Sequence, residues 1–278
     1  MEGIRISVRR EIVARQLEEQ LAARFPFGQR LRVLDVGVGP GPLPASGRTG
    51  AAPGPDGEHP GPEVRDGTQA LRLARAGHRV TLLESDPAIQ KAVRTTLAAE
   101  PEGIRERFQL VEGDARETGA HFTPGSFDVV LCHGVLMYVA EPDPILAGLA
   151  RVLAPGGLLS LLVRNADALA MRPGLAGDWQ TAHTAFDSPV YVNRAGAPGR
   201  ALSLSALSDT LTGIGTPLHA WYGVRVFTDQ AADDAQPADV RELERMLAAE
   251  ERAGRTDPYR AVAALLHLCG VRGAPREA

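Results

Sequence analysis

Residues 31–41 read Leu-Arg-Val-Leu-Asp-Val-Gly-Val-Gly-Pro-Gly, and this stretch decides the fold. Its apolar residues form a β-favouring run that predicts a short buried strand: Leu31, Val33, Leu34 and Val36. Gly37, Gly39 and Gly41 follow directly and allow a sharp turn with close approach of the backbone to a ligand. A helix should come next, so that its free N–H groups can face a polar group of that ligand.

Two carboxylates are spaced as in a nucleoside-binding unit. Asp35 ends the first strand, where open α/β sheets bind ligands, and a second strand over 79–83 closes on Glu84, 49 residues later. Residues 42–66 are rich in Pro, Gly and charge and predict a flexible insertion of 25 residues. Without the insertion the spacing is 24, near the ~20 expected between a glycine fingerprint and a ribose-binding carboxylate. Either Gly41 or Gly67 can close the glycine loop.

Strand and helix patterns alternate along the chain. Helices are predicted over 8–24, 67–74, 87–99, 143–153, 203–211 and 240–252, and strands over 79–83, 108–112, 127–133, 158–163 and 219–227. This alternation predicts one domain over 1–278, a Rossmann-like, doubly wound, mostly parallel seven-stranded α/β sheet with helices on both faces. Residues 164–200 lack periodicity and are expected to form a substrate lid. Residues 261–269 fit a strand or a helix.

The candidate ligands follow successive strands. Asp114-Ala115 comes after the third strand and His133 ends the fourth, so both should share one crevice with Asp35 and Glu84. Glu84 can accept both ribose hydroxyls, while Asp114 can accept an adenine amine. The predicted cofactor-binding residues are Asp35, Gly37, Gly39, Gly41, Glu84, Ser85, Asp114, Ala115 and His133.

Bulk properties exclude several classes. The net charge of −4 provides no global field for nucleic acid or acidic lipid. The two cysteines, Cys132 and Cys269, have no metal-type spacing, so we expect no metal and a reducing cytoplasm. The first residues lack the apolar core of a signal peptide, and the longest apolar run, 129–140, is shorter than a membrane span. A soluble cytoplasmic protein is expected.

Residues 31–163 resemble class I S-adenosylmethionine-dependent methyltransferases. The matching segments are 33–39, Glu84, 113–115 and 153–157. A narrower resemblance links 133–139, 164–166, 222–229, 257–259 and His267 to the bacterial tRNA 5-carboxymethoxyuridine methyltransferases. It implies S-adenosylmethionine as cofactor, tRNA as partner, and conversion of a wobble-uridine carboxylate to its methyl ester.

An ionised carboxylate acceptor needs no general base, so catalysis would consist of alignment in a site drier than bulk water. Arg225 could hold the acceptor carboxylate with Tyr222 beside it, and His133 could orient the acceptor, which makes these three the predicted catalytic residues. Arg164, Arg172, Arg194 and Arg200 are candidates for phosphate contacts.

Two other functions stay open. One is a small-molecule O- or N-methyltransferase of secondary metabolism, and the other is a module that binds S-adenosylmethionine without transferring a methyl group. A nicotinamide-dependent oxidoreductase is disfavoured, because Asp35 and Asp114-Ala115 do not follow the nicotinamide pattern.

Overall fold

The computed structural model describes residues 3–37, 67–193, 196–232 and 234–273. Gly39, Gly41, Arg194 and the predicted insertion 42–66 lie outside these ranges. Nine strands are described, namely β1 (Arg32–Val36), β2 (Arg79–Glu84), β3 (Phe108–Glu112), β4 (Phe127–His133), β5 (Leu153–Arg164), β6 (Val190–Val192), β7 (Pro198–Arg200), β8 (Leu218–Val224) and β9 (Leu265–Val271).

Seven of these strands form one sheet in the order β3-β2-β1-β4-β5-β9-β8. The first five are parallel to one another, whereas β9 runs antiparallel to both β5 and β8. The predicted mostly parallel, doubly wound sheet is therefore confirmed. β6 and β7 pair separately as a small hairpin.

The described ranges contain ten helices: α1 (Ile4–Arg24), α2 (Thr68–Arg75), α3 (Pro87–Ala98), α4 (Glu102–Arg105), α5 (Thr118–His121), α6 (Asp143–Val152), α7 (Met171–Leu175), α8 (Trp179–Asp187), α9 (Leu204–Gly213) and α10 (Val240–Ala253). Because successive strand residues point to opposite faces, the sheet buries apolar side chains on both. Apolar residues of α1, α2 and α3 cover one face, and those of α6 and α9 cover the other.

The structure corrects two predicted strand bounds and adds detail elsewhere. β5 begins at Leu153, with an irregular start before the predicted strand 158–163. Residues 164–200 contain α7, α8 and the β6–β7 hairpin, and their role as a substrate lid stays a prediction. β8 ends at Val224, before Arg225. Residues 261–269, which fit a strand or a helix from the sequence, contain the start of β9, and β9 pairs with β5 on one side and with β8 on the other. None of the described helices has the length and apolarity of a membrane span.

Candidate active site

A cleft lies at the carboxyl ends of β1, β2 and β4, and its space, about 780 Å³, is continuous with the solvent. The N-terminal parts of α1 and α2 close its sides. Its lining residues are Ile6, Arg9, Arg10, Val13, Asp35, Val36, Gly37, Gly67, Thr68, Gln69, Leu82, Glu84, Ile89, His133 and Leu162. The sheet thus brings together Asp35, Gly37, Glu84 and His133, four of the residues predicted to share one crevice.

Glu84 is the most deeply placed carboxylate of the cleft, with only 1% of its surface exposed. The backbone N–H of Asp86 donates to its Oε1 at 2.8 Å, which fixes the side chain. A Cβ on Gly37 would overlap the Glu84 carboxylate, so a larger residue at position 37 would displace it. The glycine is required here by close approach, and it leaves Glu84 facing the cleft.

Gly67, one of the two glycines that can close the glycine loop, lies directly before α2. It caps α2 with a φ of 68°, a conformation that suits glycine, and it lines the cleft beside Thr68 and Gln69. The N-terminal N–H groups of α2 therefore lie at the cleft, as expected for a loop that holds a polar ligand.

Two arginines that the sequence patterns did not indicate line the same cleft. Arg9 and Arg10 belong to α1, and Asp35 also lines the cleft. The carboxylate can bind the ammonium of an amino-acid tail, and the guanidinium groups can bind its carboxylate. Glu84 provides acceptors for ribose hydroxyls. The donor set therefore fits an adenosyl cofactor that carries an α-amino acid.

The predicted adenine-side residues lie at the end of β3. Asp114 caps the turn 115–117 through the N–H of Arg116, and its two carboxylate oxygens also pair with the Arg116 guanidinium at 2.9 and 2.6 Å. This pairing, through side-chain hydrogen bonds above all, holds the pKa of Asp114 below its usual range. Neither Asp114 nor the buried Ala115 lines the cleft as the structure describes it, nor does Ser85. Their contact with adenine stays a prediction.

His133 begins a chain of buried polar side chains that crosses the sheet beneath α1. Its Nε2 lies 2.8 Å from Ser160 Oγ, and Ser160 Oγ lies 2.8 Å from Nε2 of His267. His267 Nδ1 lies in turn 2.8 Å from Oε1 of Gln16, whose amide nitrogen donates to the carbonyl of Gly223 at 3.4 Å. The chain links the cleft to α1 and β8.

The direction of these hydrogen bonds fixes the tautomers. Because Gln16 Oε1 accepts, His267 donates from Nδ1 and accepts the Ser160 hydroxyl at Nε2. Ser160 Oγ then accepts from Nε2–H of His133, which leaves His133 Nδ1 as an acceptor. Burial lowers the pKa of His267 to about 3, and burial, His267 and Arg9 lower that of His133 well below its ordinary value. Both imidazoles are neutral at pH 7.

A second pocket adjoins the cleft and is rich in arginine. It is lined by Arg5, Met137, Arg164, Arg172, Tyr191, Asn193, Arg225 and Leu265. Two elements contribute to both sites. On β5, Leu162 lines the cleft and Arg164 lines the pocket. On α1, Ile6 lines the cleft and Arg5 lines the pocket. We call this second site the arginine pocket. Its four guanidinium groups favour an anionic ligand.

Asp229 forms ion pairs with two of these arginines. Its carboxylate lies 3.4 Å from Arg164 Nη1 and 3.4 Å from Arg225 Nη2. Burial raises the pKa of Asp229, but the positive charges of Arg225 and the other nearby arginines lower it by more. The pKa of Asp229 therefore lies below its ordinary value. The Arg164 guanidinium also lies over the Tyr191 ring, 5.8 Å from its centroid.

Arg225 is placed by a loop, and a distant carboxylate holds that loop. Arg225 has a φ of 59°, in the left-handed region that non-glycine residues rarely adopt. The next three backbone N–H groups donate to the buried carboxylate of Glu250 on α10, at 2.8, 3.0 and 2.8 Å. The hydroxyl of Thr228 adds a fourth hydrogen bond at 2.7 Å. Glu250 is therefore a positioning residue for the arginine pocket.

Tyr222 lies apart from the arginine pocket. On β8 it faces α1, where Gln20 Nε2 donates to its hydroxyl at 2.6 Å and the hydroxyl donates to Glu19 at 3.2 Å. Burial raises the pKa of Tyr222 to about 12. Tyr222 and Arg225, predicted side by side at the acceptor, are therefore separated: Tyr222 contacts α1 from β8, whereas Arg225 follows β8 and lines the arginine pocket.

Comparisons with known proteins agree with this geometry. A family model described as "Methyltransferase domain" matches residues 64–161. The tRNA 5-carboxymethoxyuridine methyltransferase of Escherichia coli K12 is 30% identical over 262 residues, which cover 94% of this chain and 87% of that protein. The chain belongs to the class I S-adenosylmethionine-dependent methyltransferases.

Two further relatives bear on the methyltransferase. A ubiquinone biosynthesis O-methyltransferase of Xanthomonas euvesicatoria is 32% identical over 134 residues, covering 48% of this chain and 43% of that protein. The crystal structure of the glycopeptide N-methyltransferase MtfA with S-adenosylhomocysteine shares the fold, with a TM-score of 0.54, 16% identity and coverage of 94% and 89%. S-adenosylmethionine is the cofactor of this methyltransferase.

Proposed function

We propose that the methyltransferase esterifies a carboxylate on a tRNA, the 5-carboxymethoxy group of a modified wobble uridine. The observation that carries this proposal is the arginine pocket beside the cofactor cleft. Guanidinium groups bind carboxylates through paired, charge-assisted hydrogen bonds. The similarity to the E. coli tRNA methyltransferase supports the choice of acceptor.

The residues perform alignment rather than proton transfer. When bound, S-adenosylmethionine would supply an activated methyl group to an ionised carboxylate oxygen, with S-adenosylhomocysteine as the leaving group, so no general base is needed. Arg225, set in place by Asp229 and by the loop that Glu250 holds, binds the carboxylate and turns one oxygen toward the cleft. His133, neutral and held by Ser160, lines the cofactor side.

The direct experiment incubates tRNA that contains 5-carboxymethoxyuridine with the methyltransferase and S-adenosylmethionine, then analyses the nucleosides by mass spectrometry. The proposal predicts that this nucleoside gains the mass of one methylene group. Activity should also fall steeply with salt, because tRNA phosphates are bound electrostatically. Cofactor binding without any mass gain would reject the tRNA proposal in favour of a small-molecule acceptor or a non-catalytic binding module.

Variants of the pocket test the role of its arginines. Arg225→Leu should lower kcat/KM for the tRNA by about 10²-fold while S-adenosylhomocysteine binding is kept. Since Arg225 is buried, Arg172→Leu provides a less buried variant with the same expected direction. Arg241→Leu on α10 removes an exposed arginine outside the pocket and is the matched control. Equal activity of all three variants would contradict the assignment.

A further inference from the structure

The helix α8 exposes aromatic side chains along one face. Trp179 is 73% exposed and Phe186 is 80% exposed, and the exposed His183 lies between them. The spacing i, i+4, i+7 puts all three on the same side of the helix. We call this set the aromatic stripe. Ala182, which lies between Trp179 and Phe186 on the helix surface, is buried and packs α8 against Gly174 of α7.

The segments that precede and follow α8 in the chain both line the arginine pocket, so the aromatic stripe borders that pocket. α7 packs on α8 and carries Arg172, which lines the pocket. On the other side, Tyr191 of β6 also lines the pocket, five residues after Phe186. An extended chain of that length spans at most about 17 Å. Phe186 is thus within a few nucleotide lengths of the site where the arginines bind an anion.

Large exposed apolar side chains grouped on one element mark an interaction surface. Single-stranded RNA is recognised by stacking unpaired bases on aromatic rings, with arginines on the backbone or on charged groups. The aromatic stripe and the arginine pocket provide these two elements side by side. A membrane surface or a second copy of the chain could also cover the rings, but a tRNA loop carries both unpaired bases and the carboxylate that the proposed function puts in the adjoining pocket.

We propose that Trp179 and Phe186 stack on unpaired bases that flank the modified nucleotide, so that α8 selects a single-stranded RNA loop. This inference rests on the proposed tRNA acceptor. It assigns to the predicted lid region 164–200 a specific ligand chemistry, namely the π-faces of nucleobases.

Fluorescence gives a direct reading of stacking. The chain has two tryptophans, Trp179 and Trp221. In a Trp221→Phe variant, Trp179 is the sole tryptophan, and a single-stranded anticodon-loop oligonucleotide should quench its emission upon stacking. A fully base-paired RNA of the same length should quench it much less, because its bases are stacked on one another. Equal quenching by both RNAs would overturn the proposal.

Affinity measurements separate this inference from the proposed function. Trp179→Ala and Phe186→Ala should each weaken binding of the tRNA by about 5- to 150-fold, the range of one lost base stack. Phe27→Ala removes an exposed phenylalanine just before β1, at the amino ends of the parallel strands and away from the cleft, and should not change tRNA binding. Calorimetry with S-adenosylhomocysteine verifies that each variant is folded.

The outcomes are distinguishable. If the wild-type protein methylates tRNA but the α8 variants bind it normally, the aromatic stripe is not an RNA surface and only this inference fails. If the wild-type protein neither binds nor methylates tRNA, the proposed function fails as well. Light scattering measures self-association, and co-sedimentation measures binding to anionic vesicles. If Trp179→Ala abolishes either of these while RNA binding persists, the stripe serves a protein or membrane contact and the inference is overturned.

Discussion

Gly37 and Glu84 compete for one volume, because a Cβ on the glycine would overlap the carboxylate. This contact sets the depth of the cofactor cleft, since Glu84 can remain buried at the end of β2 only while the β1 side of the cleft lacks a side chain there. The pair therefore couples the glycine loop to the predicted ribose ligand.

Replacing Glu84 should weaken cofactor binding. Glu84→Ala removes a charged hydrogen-bond acceptor from the cleft, and we expect the affinity for S-adenosylhomocysteine to fall by about 1–3 kcal/mol. Isothermal titration calorimetry measures the change. Glu112→Ala is the matched control, because Glu112 is exposed and pairs with Glu84 in the register of β2 and β3. An unaltered affinity of Glu84→Ala would remove Glu84 from the ribose-binding role.

Gly37→Ala should reduce cofactor affinity through Glu84 itself. The new methyl group displaces the carboxylate, so the substitution should cost little more once Glu84 is already alanine. A double-mutant cycle on cofactor affinity is expected to show a coupling energy of about 0.5–3 kcal/mol. Strictly additive effects would show that the glycine acts by another route.

The buried histidine chain should make stability depend on pH. The pKa of His267 is about 3 in the folded protein against an ordinary value of 6.5, so the unfolded chain binds the extra proton between these values. The free energy of unfolding should therefore fall as pH decreases, by about 1.4 kcal/mol per pH unit between roughly pH 6 and pH 4 from this group. His267→Gln keeps hydrogen-bonding atoms for Ser160 and Gln16 but cannot titrate.

Urea unfolding at several pH values should then show a shallower slope for His267→Gln than for the wild-type protein. His133, whose pKa is also lowered, would account for part of the slope that remains. His183→Gln removes an exposed imidazole from α8 and is expected to keep the wild-type slope. A wild-type slope in His267→Gln would show that the burial of His267 is not linked to acid stability.

Glu250→Gln should disturb the arginine pocket without touching the cofactor. A glutamine replaces one of the two carboxylate oxygens that accept from residues 226–228 with an NH2 group, which cannot accept, and the remaining hydrogen bonds lose their charge assistance. We expect a loss of about 1.5–3 kcal/mol in unfolding free energy and a raised KM for the acceptor. Glu244→Gln, exposed on the same helix, is the control. An unchanged acceptor KM would limit Glu250 to a structural role.

Local patterns predicted the parallel part of the sheet well. β3 and β4 begin and end at the predicted residues, because continuous apolar runs bounded by polar turns specify buried parallel strands. The cleft residues Asp35, Gly37, Glu84 and His133 followed from the same rule, since strand ends meet at one edge.

The arginine pocket depends on contacts that are distant in the chain. The departure of Arg225 from β8 is caused by Glu250, more than twenty residues later, which no local pattern reveals. Arg5, Arg9 and Arg10 reach the site because the N-terminal end of α1 lies over the carboxyl ends of the strands. Helical periodicity indicates which side of α1 is buried but not which end lies above the ligand.

The position of β9 has a consequence for biosynthesis. β8 is synthesised before β9, but in the sheet β9 lies between β5 and β8 and pairs with both. While β9 is still untranslated, the nascent chain can assemble β1 to β5 around the cofactor cleft, but Leu265 and His267 are not yet available. We therefore expect two stages of maturation, in which the cofactor half forms during translation and the acceptor half only afterwards.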